Sequence, residues 1–198
     1  MREPGGRDAA PGGLRLVQDL CNTNDVEEGR DRLQKRSELV AFCAVHGLPD
    51  LQVSEADVAN FRQLREALRQ ICQAHAGQRE FPESAELVNH HLRTARFGLT
   101  VDGAGRATLT RSPQRRGLPA LLARLAEAII VAAESGDWQR LKACSAEECR
   151  WVFYDRSPAG RGRWCSMQVC GSRAKMRAYR SRKRSSTCLG YAGLVSRQ

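Results

Sequence analysis

The chain has 198 residues, 41% of them hydrophobic, and 32 Lys and Arg against 22 Asp and Glu give it a net charge of +10. No run approaches the ~18 consecutive apolar residues that a membrane-spanning helix needs. The Gly-, Pro- and Arg-rich opening, residues 1–13, lacks the apolar stretch of a signal peptide, so it reads as a disordered arm on a cytoplasmic protein that does not engage a membrane.

Residues 14–143 read as a mainly helical domain. Leu14, Leu16, Val17, Leu20 and Cys21 make a short apolar face that stops at Asn22-Thr23. A second helical period runs over residues 33–45, through Leu33, Leu39, Val40, Phe42 and Cys43, and Gly47 and Pro49 end it. Ser54 with Asp57 three residues on is a variant of the capping box and opens a third helix through Val58, Phe61, Leu64, Leu68, Ile71 and Cys72. Pro82 suits the first turn of a fourth, carrying Leu87, Val88 and Leu92. The period then shortens at 97–101, Asp102 to Gly105 make a turn, and alternation resumes at 107–110, which predicts one β-hairpin. After Arg115-Arg116-Gly117 comes an apolar helix over residues 119–135, whose faces are almost all Leu, Ile, Ala and Val; it is expected to be the central buried helix. The fold class is therefore α+β.

Four cysteines then fall in matched pairs, Cys144-x4-Cys149 and Cys165-x4-Cys170, fifteen residues apart. Two short Cys loops joined by a hairpin-sized spacer suit a tetrahedral Zn2+. Two disulfides or four unrelated buried thiols are the competing readings, and the equal spacing favours one structural Zn2+. A site of four thiolates has no open position for water, so it staples a fold and does not catalyse. Between the pairs, Trp151-Val152-Phe153-Tyr154 reads as a strand, and Arg163-Trp164-Cys165 as the strand that returns beside it. So small a module needs the metal plus Trp151, Phe153 and Trp164 as its core. Cys21, Cys43 and Cys72 sit in apolar helical patterns and read as core residues, and Cys188 is isolated.

The excess charge is concentrated in this second module. Residues 1–143 carry 20 basic and 19 acidic side chains, whereas residues 144–187 carry 11 and 3. From Ser172 the sequence reads as a helix on which Arg173, Arg177, Arg180 and Arg184 fall within about 60° of one another. Met176 and Tyr179 occupy a neighbouring face suited to packing on the metal hairpin. A solvated helix face normally mixes signs, but no acid follows Asp155. The pattern points to nucleic-acid phosphates as partner, with Arg161, Arg163, Arg173, Lys175, Arg177, Arg180, Arg182, Lys183 and Arg184 as candidate contacts. DNA is the first expectation; RNA, or an acidic protein docked on the same helix, is the alternative. There is no Gly-rich phosphate loop, nucleophile elbow or helical His-pair metalloprotease motif, so no enzyme is indicated, and an enzyme with its site in the amino-terminal domain is the last of the three readings. His90 and His91 are adjacent, about 100° apart on a helix, and cannot clasp one metal. Asp19, Asn22 and Thr23 could line a ligand pocket, although capping and turn formation explain them as well.

The residues Cys144-x4-Cys149-Arg150-Trp151-Val152-Phe153-Tyr154-Asp155, then Arg163-Trp164-Cys165-Ser166-Met167 and Cys170-Gly171-Ser172-Arg173-x-Lys175, resemble the CGNR zinc finger, with Ser172 where the family's name has Asn. Residues 16–23, Leu-Val-Gln-Asp-Leu-Cys-Asn-Thr, and 64–69, Leu-Arg-Glu-Ala-Leu-Arg, resemble the associated ABATE domain. The resemblance implies a bacterial, stress-induced transcription regulator with a DNA-binding finger joined to a helical domain that senses a small-molecule effector or forms a homodimer. The expected division is an arm at 1–13, the helical domain at 14–143, the finger and basic helix at 144–186, and a tail at 187–198.

Overall fold

The computed structural model describes residues 4–48, 52–93, 95, 97–111 and 118–192, with the side chains of residues 4, 110, 111 and 184–192 excepted. In chain order the helices are α1 (Leu14–Cys21), α2 (Arg36–Val45), α3 (Glu55–His75), α4 (Pro82–Leu92), α5 (Leu118–Glu134) and α6 (Ser172–Ala192). The strands pair as three antiparallel hairpins: β1 (Asn24–Asp25) with β2 (Arg30–Asp31), β3 (Phe97–Val101) with β4 (Ala107–Arg111), and β5 (Leu141–Ala143) with β6 (Val152–Tyr154). Residues 112–117, which include the Arg115-Arg116-Gly117 lead, lie outside the described residues.

The centre of the helical domain is α3, which touches α1, α2, α4 and β5. Its start follows from the cap: the Ser54 hydroxyl accepts from the Asp57 amide at 3.2 Å while the Asp57 carboxylate accepts from the Ser54 amide at 2.8 Å. Val58, Phe61, Leu64, Leu68 and Cys72 bury one helical face. The second helix begins at Arg36 and not at Leu33. The Glu38 carboxylate accepts from the amides of Gln34 (2.6 Å) and Lys35 (3.0 Å), which fixes the first turn there, and Leu33 is buried ahead of it.

The expectation that the apolar helix α5 is central and wholly buried is corrected. It packs through Leu121, Leu125, Ala128 and Ala132, and leaves Ile130 and Val131 exposed. Gly13 lets that one face approach closely, since a Cβ there would lie 2.9 Å from the Ala128 Cβ. A further hairpin, β1–β2, turns through Gly29 in the left-handed region (φ 62°).

The helical core does not stop at residue 143. Leu141 and Ala143 of β5 and Val152 and Tyr154 of β6 belong to it, while Trp151 and Phe153 pack with the four paired cysteines in a second core. Alternate side chains of β6 thus serve opposite sides, as a two-residue period dictates. The sequence placed residues 163–165 beside 152–154; in the structure β6 pairs instead with β5, in the register Leu141↔Tyr154, Lys142↔Phe153 and Ala143↔Val152. The reason lies in Asp155. Its buried carboxylate accepts from Lys142 Nζ (2.9 Å) and from the amides of Ser157 (3.1 Å) and Gly162 (2.6 Å), which winds the intervening loop around it. A Cβ at Gly162 would lie 2.8 Å from that carboxylate.

Residues 5–13, read from sequence as part of a disordered arm, lie across the finger. Arg7 stacks over the Phe153 ring at 4.9 Å and donates to the Trp164 carbonyl at 3.3 Å. Ala10 is buried and its amide donates to Gln18 Oε1 at 2.6 Å. A glycine-rich segment carries no local signal for such docking, because the partners of Arg7 in the finger are more than a hundred residues away. Within the expected tail, α6 continues to Ala192, and residues 193–198 lie outside the described residues.

Candidate metal centre and basic helix

Cys144 follows β5 directly, and its amide donates to the Trp151 carbonyl at 2.9 Å, closing the first cysteine loop. Inside that loop the Cys149 and Arg150 amides both donate to the Ala146 carbonyl at 3.0 Å. Arg150 takes φ 52°, the sole non-glycine at positive φ among the described residues, and the buried Arg69 donates to its carbonyl at 2.8 Å. The second loop starts at Ser166, whose hydroxyl accepts from the Val169 amide at 3.3 Å and whose carbonyl accepts from Gly171 at 3.0 Å. This forms a π-turn over Met167–Gly171 that runs straight into α6. A Cβ at Gly171 would lie 2.9 Å from the Met167 sulfur, so glycine permits the turn to close against it. The two loops are tied by the Ser145 amide, which donates to the Arg163 carbonyl at 2.8 Å.

All four sulfurs, of Cys144, Cys149, Cys165 and Cys170, lie within 4.8 Å of one another and all four residues are buried. Cys149 to Cys165 is 3.6 Å and Cys165 to Cys170 is 3.7 Å. Zn–S bonds of ~2.3 Å in a tetrahedron require sulfurs about 3.8 Å apart, whereas a disulfide holds them at about 2.05 Å. The donor chemistry and the spacing therefore fit one zinc ion held by thiolates. Among the four, hydrogen bonds from Cys149 and then Cys165 hold the Cys144 thiol below its ordinary range, hydrogen bonds to Cys144 push Cys149 and Cys165 above theirs, and burial raises Cys170. Burial pushes the Cys21 thiol up to about 12 and Cys43 up to about 11, and raises Cys72 too, so these are inert core residues. The side chain of Cys188 lies outside the described residues.

From the second loop α6 projects away from the body, with every side chain from Lys175 to Lys183 exposed. Met176 and Tyr179 are 51% and 56% exposed, which corrects the expectation that they pack on the metal hairpin. The π-turn leads straight into the helix, and among the described residues neither side chain is buried by the finger core. Two of the striped arginines meet acids from elsewhere. Arg173 pairs with Glu27 of the β1–β2 turn at 2.5 Å, and Arg177 with Glu148 of the first cysteine loop at 2.5 Å. Lys175 and Arg180 have no acidic partner among the described residues. Arg161 and Arg163 are exposed on the loop before Cys165, with Arg163 5.7 Å from the Trp164 ring centre. Arg182 and Lys183 are exposed as well, and the side chain of Arg184 lies outside the described residues.

The three pocket candidates of the helical domain separate. Asn22 is buried and faces β6: its Nδ2 donates to the Val152 carbonyl at 2.8 Å and its Oδ1 accepts from the Val152 amide at 2.9 Å. Thr23 donates to the Leu20 carbonyl at 2.7 Å and accepts from Arg65 at 3.2 Å. Asp19 lies 3.4 Å from Arg15 and 3.5 Å from His46 Nε2, and with Thr23 it lines a cleft of about 330 Å³.

Sequence reasoning missed the residues that join the two cores. Arg69 donates to the carbonyls of Arg150, Cys21 and Asn24 and pairs with Glu66. Arg65 pairs with Asp31 through both nitrogens, at 2.6 and 3.0 Å. Their signal was present: two arginines four apart beside Leu64 and Leu68, on a face that must be buried. Gln18, which donates to the Val152 carbonyl at 3.3 Å, and Lys142 with Asp155 carried no such signal.

The architecture is that of a helical domain fused to a four-cysteine zinc finger with a trailing basic helix. Residues 140–183 match the family of the CGNR zinc finger, and residues 14–136 match ABATE, described as "Putative stress-induced transcription regulator". The second match covers more than half of the chain, and the chain belongs to that family. The site accordingly holds one structural Zn2+. Neither family is a family of enzymes. No curated protein matches the chain. Among the described residues no helix is long and apolar enough to cross a membrane.

Proposed function

We propose that the chain regulates transcription in the cytoplasm by binding duplex DNA through α6, held in place by the zinc-bound loop that precedes it. The observation that carries this reading is the exposure of α6 on all sides over residues 175–183, together with the absence of any acid after Asp155. A helix with no apolar face against its own protein gains little from folding alone, and repulsion between its like charges opposes it. Nucleic acid supplies the missing partner. The 21 residues of α6 span about 30 Å, and the major groove, about 12 Å wide, admits such a helix. Arg161, Arg163, Arg173, Lys175, Arg177, Arg180, Arg182, Lys183 and Arg184 are the contacts, with Arg173 and Arg177 exchanging Glu27 and Glu148 for phosphates. Residues 14–143 act as the half that takes a small-molecule effector or pairs with a second copy, and residues 144–186 as the half that binds DNA.

Salt dependence tests the reading. If the four arginines of the stripe neutralise about four phosphates, log affinity for duplex DNA falls against log salt with a slope near −3.6. Changing Arg177 and Arg180 together to Ala flattens that slope by about 1.8. Unchanged affinity and slope with zinc content preserved would sink the proposal. Structured RNA and an acidic polypeptide, titrated at the same ionic strength, should bind more weakly than duplex DNA; a reversed order assigns the helix to one of them.

A further inference from the structure

The cleft lined by Asp19 and Thr23 has a charge balance and a shape that together select a ligand. One wall is apolar: Phe42, Ala41 and Val45 of α2, with Val45 82% exposed at the mouth. The His46 ring lies against Phe42, tilted by 48° with 4.6 Å between centres, and its Nε2 is 3.5 Å from Asp19. Both carboxylates of the cleft accept hydrogen bonds. Asp19 is shared by Arg15 and His46, and Glu38 accepts from the amides of Gln34 and Lys35 at the start of α2. Arg32, which also lines the cleft, is exposed and its guanidinium has no partner among the described residues; only its backbone amide is held, by the Thr23 carbonyl at 2.8 Å. A wholly apolar molecule would bury the rim of Arg32 without compensation.

We infer that this cleft binds a small organic anion, a carboxylate on a compact apolar body, with the carboxylate on Arg32 and the body against Phe42 and Val45. A guanidinium meets a carboxylate in two parallel hydrogen bonds, which orients the ligand, and the volume of about 330 Å³ admits a single-ring molecule. This deepens the effector half of the function proposed above and rests on it, while its test does not require DNA.

Calorimetric titration of the full, zinc-loaded chain with benzoate is the test, with benzamide as the uncharged counterpart. Benzoate should bind saturably at one site per chain, and benzamide at least about ten-fold more weakly, because a charged hydrogen bond is lost. Arg32→Gln, on an exposed side chain, should weaken benzoate by about ten-fold, and Val45→Asp, which puts a like charge at the mouth, by at least as much. Arg79→Gln, whose guanidinium lies over Phe81 away from the cleft, should leave binding unchanged and so controls for general attraction to a basic chain. Equal binding of benzoate and benzamide, no saturation with benzoate, or an Arg32→Gln chain that binds as the wild type does would each overturn the inference. Duplex affinity measured on the same samples keeps the two claims apart. A chain that binds benzoate but no duplex upholds the cleft and sinks the DNA reading; one that binds duplex but not benzoate does the reverse.

Discussion

Asn22→Ala removes the one side chain that satisfies both backbone groups of Val152. The two hydrogen bonds, at 2.8 and 2.9 Å, are formed by a residue that is 1% exposed, so water cannot replace them without opening the structure. A buried backbone group left unsatisfied costs about 1–3 kcal/mol. Gln18 donates to the same carbonyl at 3.3 Å and retains part of its satisfaction, so the loss falls mainly on the Val152 amide. The expected total is about 2–4 kcal/mol, which for a chain of this size lowers the melting temperature by about 4–16 °C. Thermal unfolding followed by far-ultraviolet circular dichroism measures that shift, and zinc release to a chromogenic chelator measures its reach into the finger. Because β6 carries the clamp and also leads from the first cysteine loop, zinc should be released faster as well. Asn22→Asp is the sharper variant, since it keeps the acceptor and replaces the donor by an oxygen facing the Val152 carbonyl. It should destabilise at least as much as Ala. A melting temperature of Asn22→Ala within about 1 °C of the wild type, below the smallest shift expected, would refute the view that this amide joins the two cores.

Cys165→Ser should abolish stoichiometric zinc by atomic absorption, and it should lower the melting temperature of the helical domain too, because Val152 and Tyr154 are held in that domain's core by the finger. Retention of full metal content would overturn the ligand set. Lys142→Met leaves the buried Asp155 carboxylate without its cation and should cost about 3–5 kcal/mol by denaturant titration. In the wild type, burial alone would raise Asp155, but Lys142, Ser157 and Gly162 hold it at about 2. The sign follows: its contribution is complete above the unfolded value of about 3.9 and disappears as pH falls from about 4 to about 2. The acid midpoint of Lys142→Met should therefore move to higher pH, and an unmoved midpoint would count against the pair. Glu27→Gln frees Arg173 from its exposed ion pair, and because such pairs are weak, duplex affinity should rise by no more than about five-fold. A fall in affinity would mean that Glu27 positions the helix and does not compete for it.

Features whose partners are close along the chain are legible in the sequence. The cap at Ser54, the proline at the start of α4, the β3–β4 hairpin and the paired cysteine spacing each depend on a few adjacent side chains. The zinc ligands are legible because metal chemistry restricts both residue type and loop length. What escapes is set at long range. The partner of β6 is decided by the carboxylate of Asp155, which reads as an ordinary polar residue until Lys142 and Gly162 are brought to it. The docking of residues 5–13 depends on Phe153 and Trp164. The exposure of Met176 and Tyr179 depends on the direction in which a π-turn releases the helix, and helical periodicity gives a face without saying whether anything lies beside it. Of the pocket candidates, Asp19 and Thr23 do line a cleft, while Asn22, polar and equally close in the chain, is turned to Val152.

The alternation along β6 has a consequence for how this protein can change over generations. Val152 and Tyr154 answer to the helices, whereas Trp151 and Phe153 answer to the metal cluster. Neighbouring positions of β6 and the residue before it are thus under selection from two different sets of contacts. Compensating substitutions for Val152 or Tyr154 should arise among residues such as Leu14 and Leu68, and those for Trp151 or Phe153 around Trp164 and Arg7. A recombination that exchanged the finger between distant relatives would satisfy one set and break the other, so the two halves should be inherited as a unit.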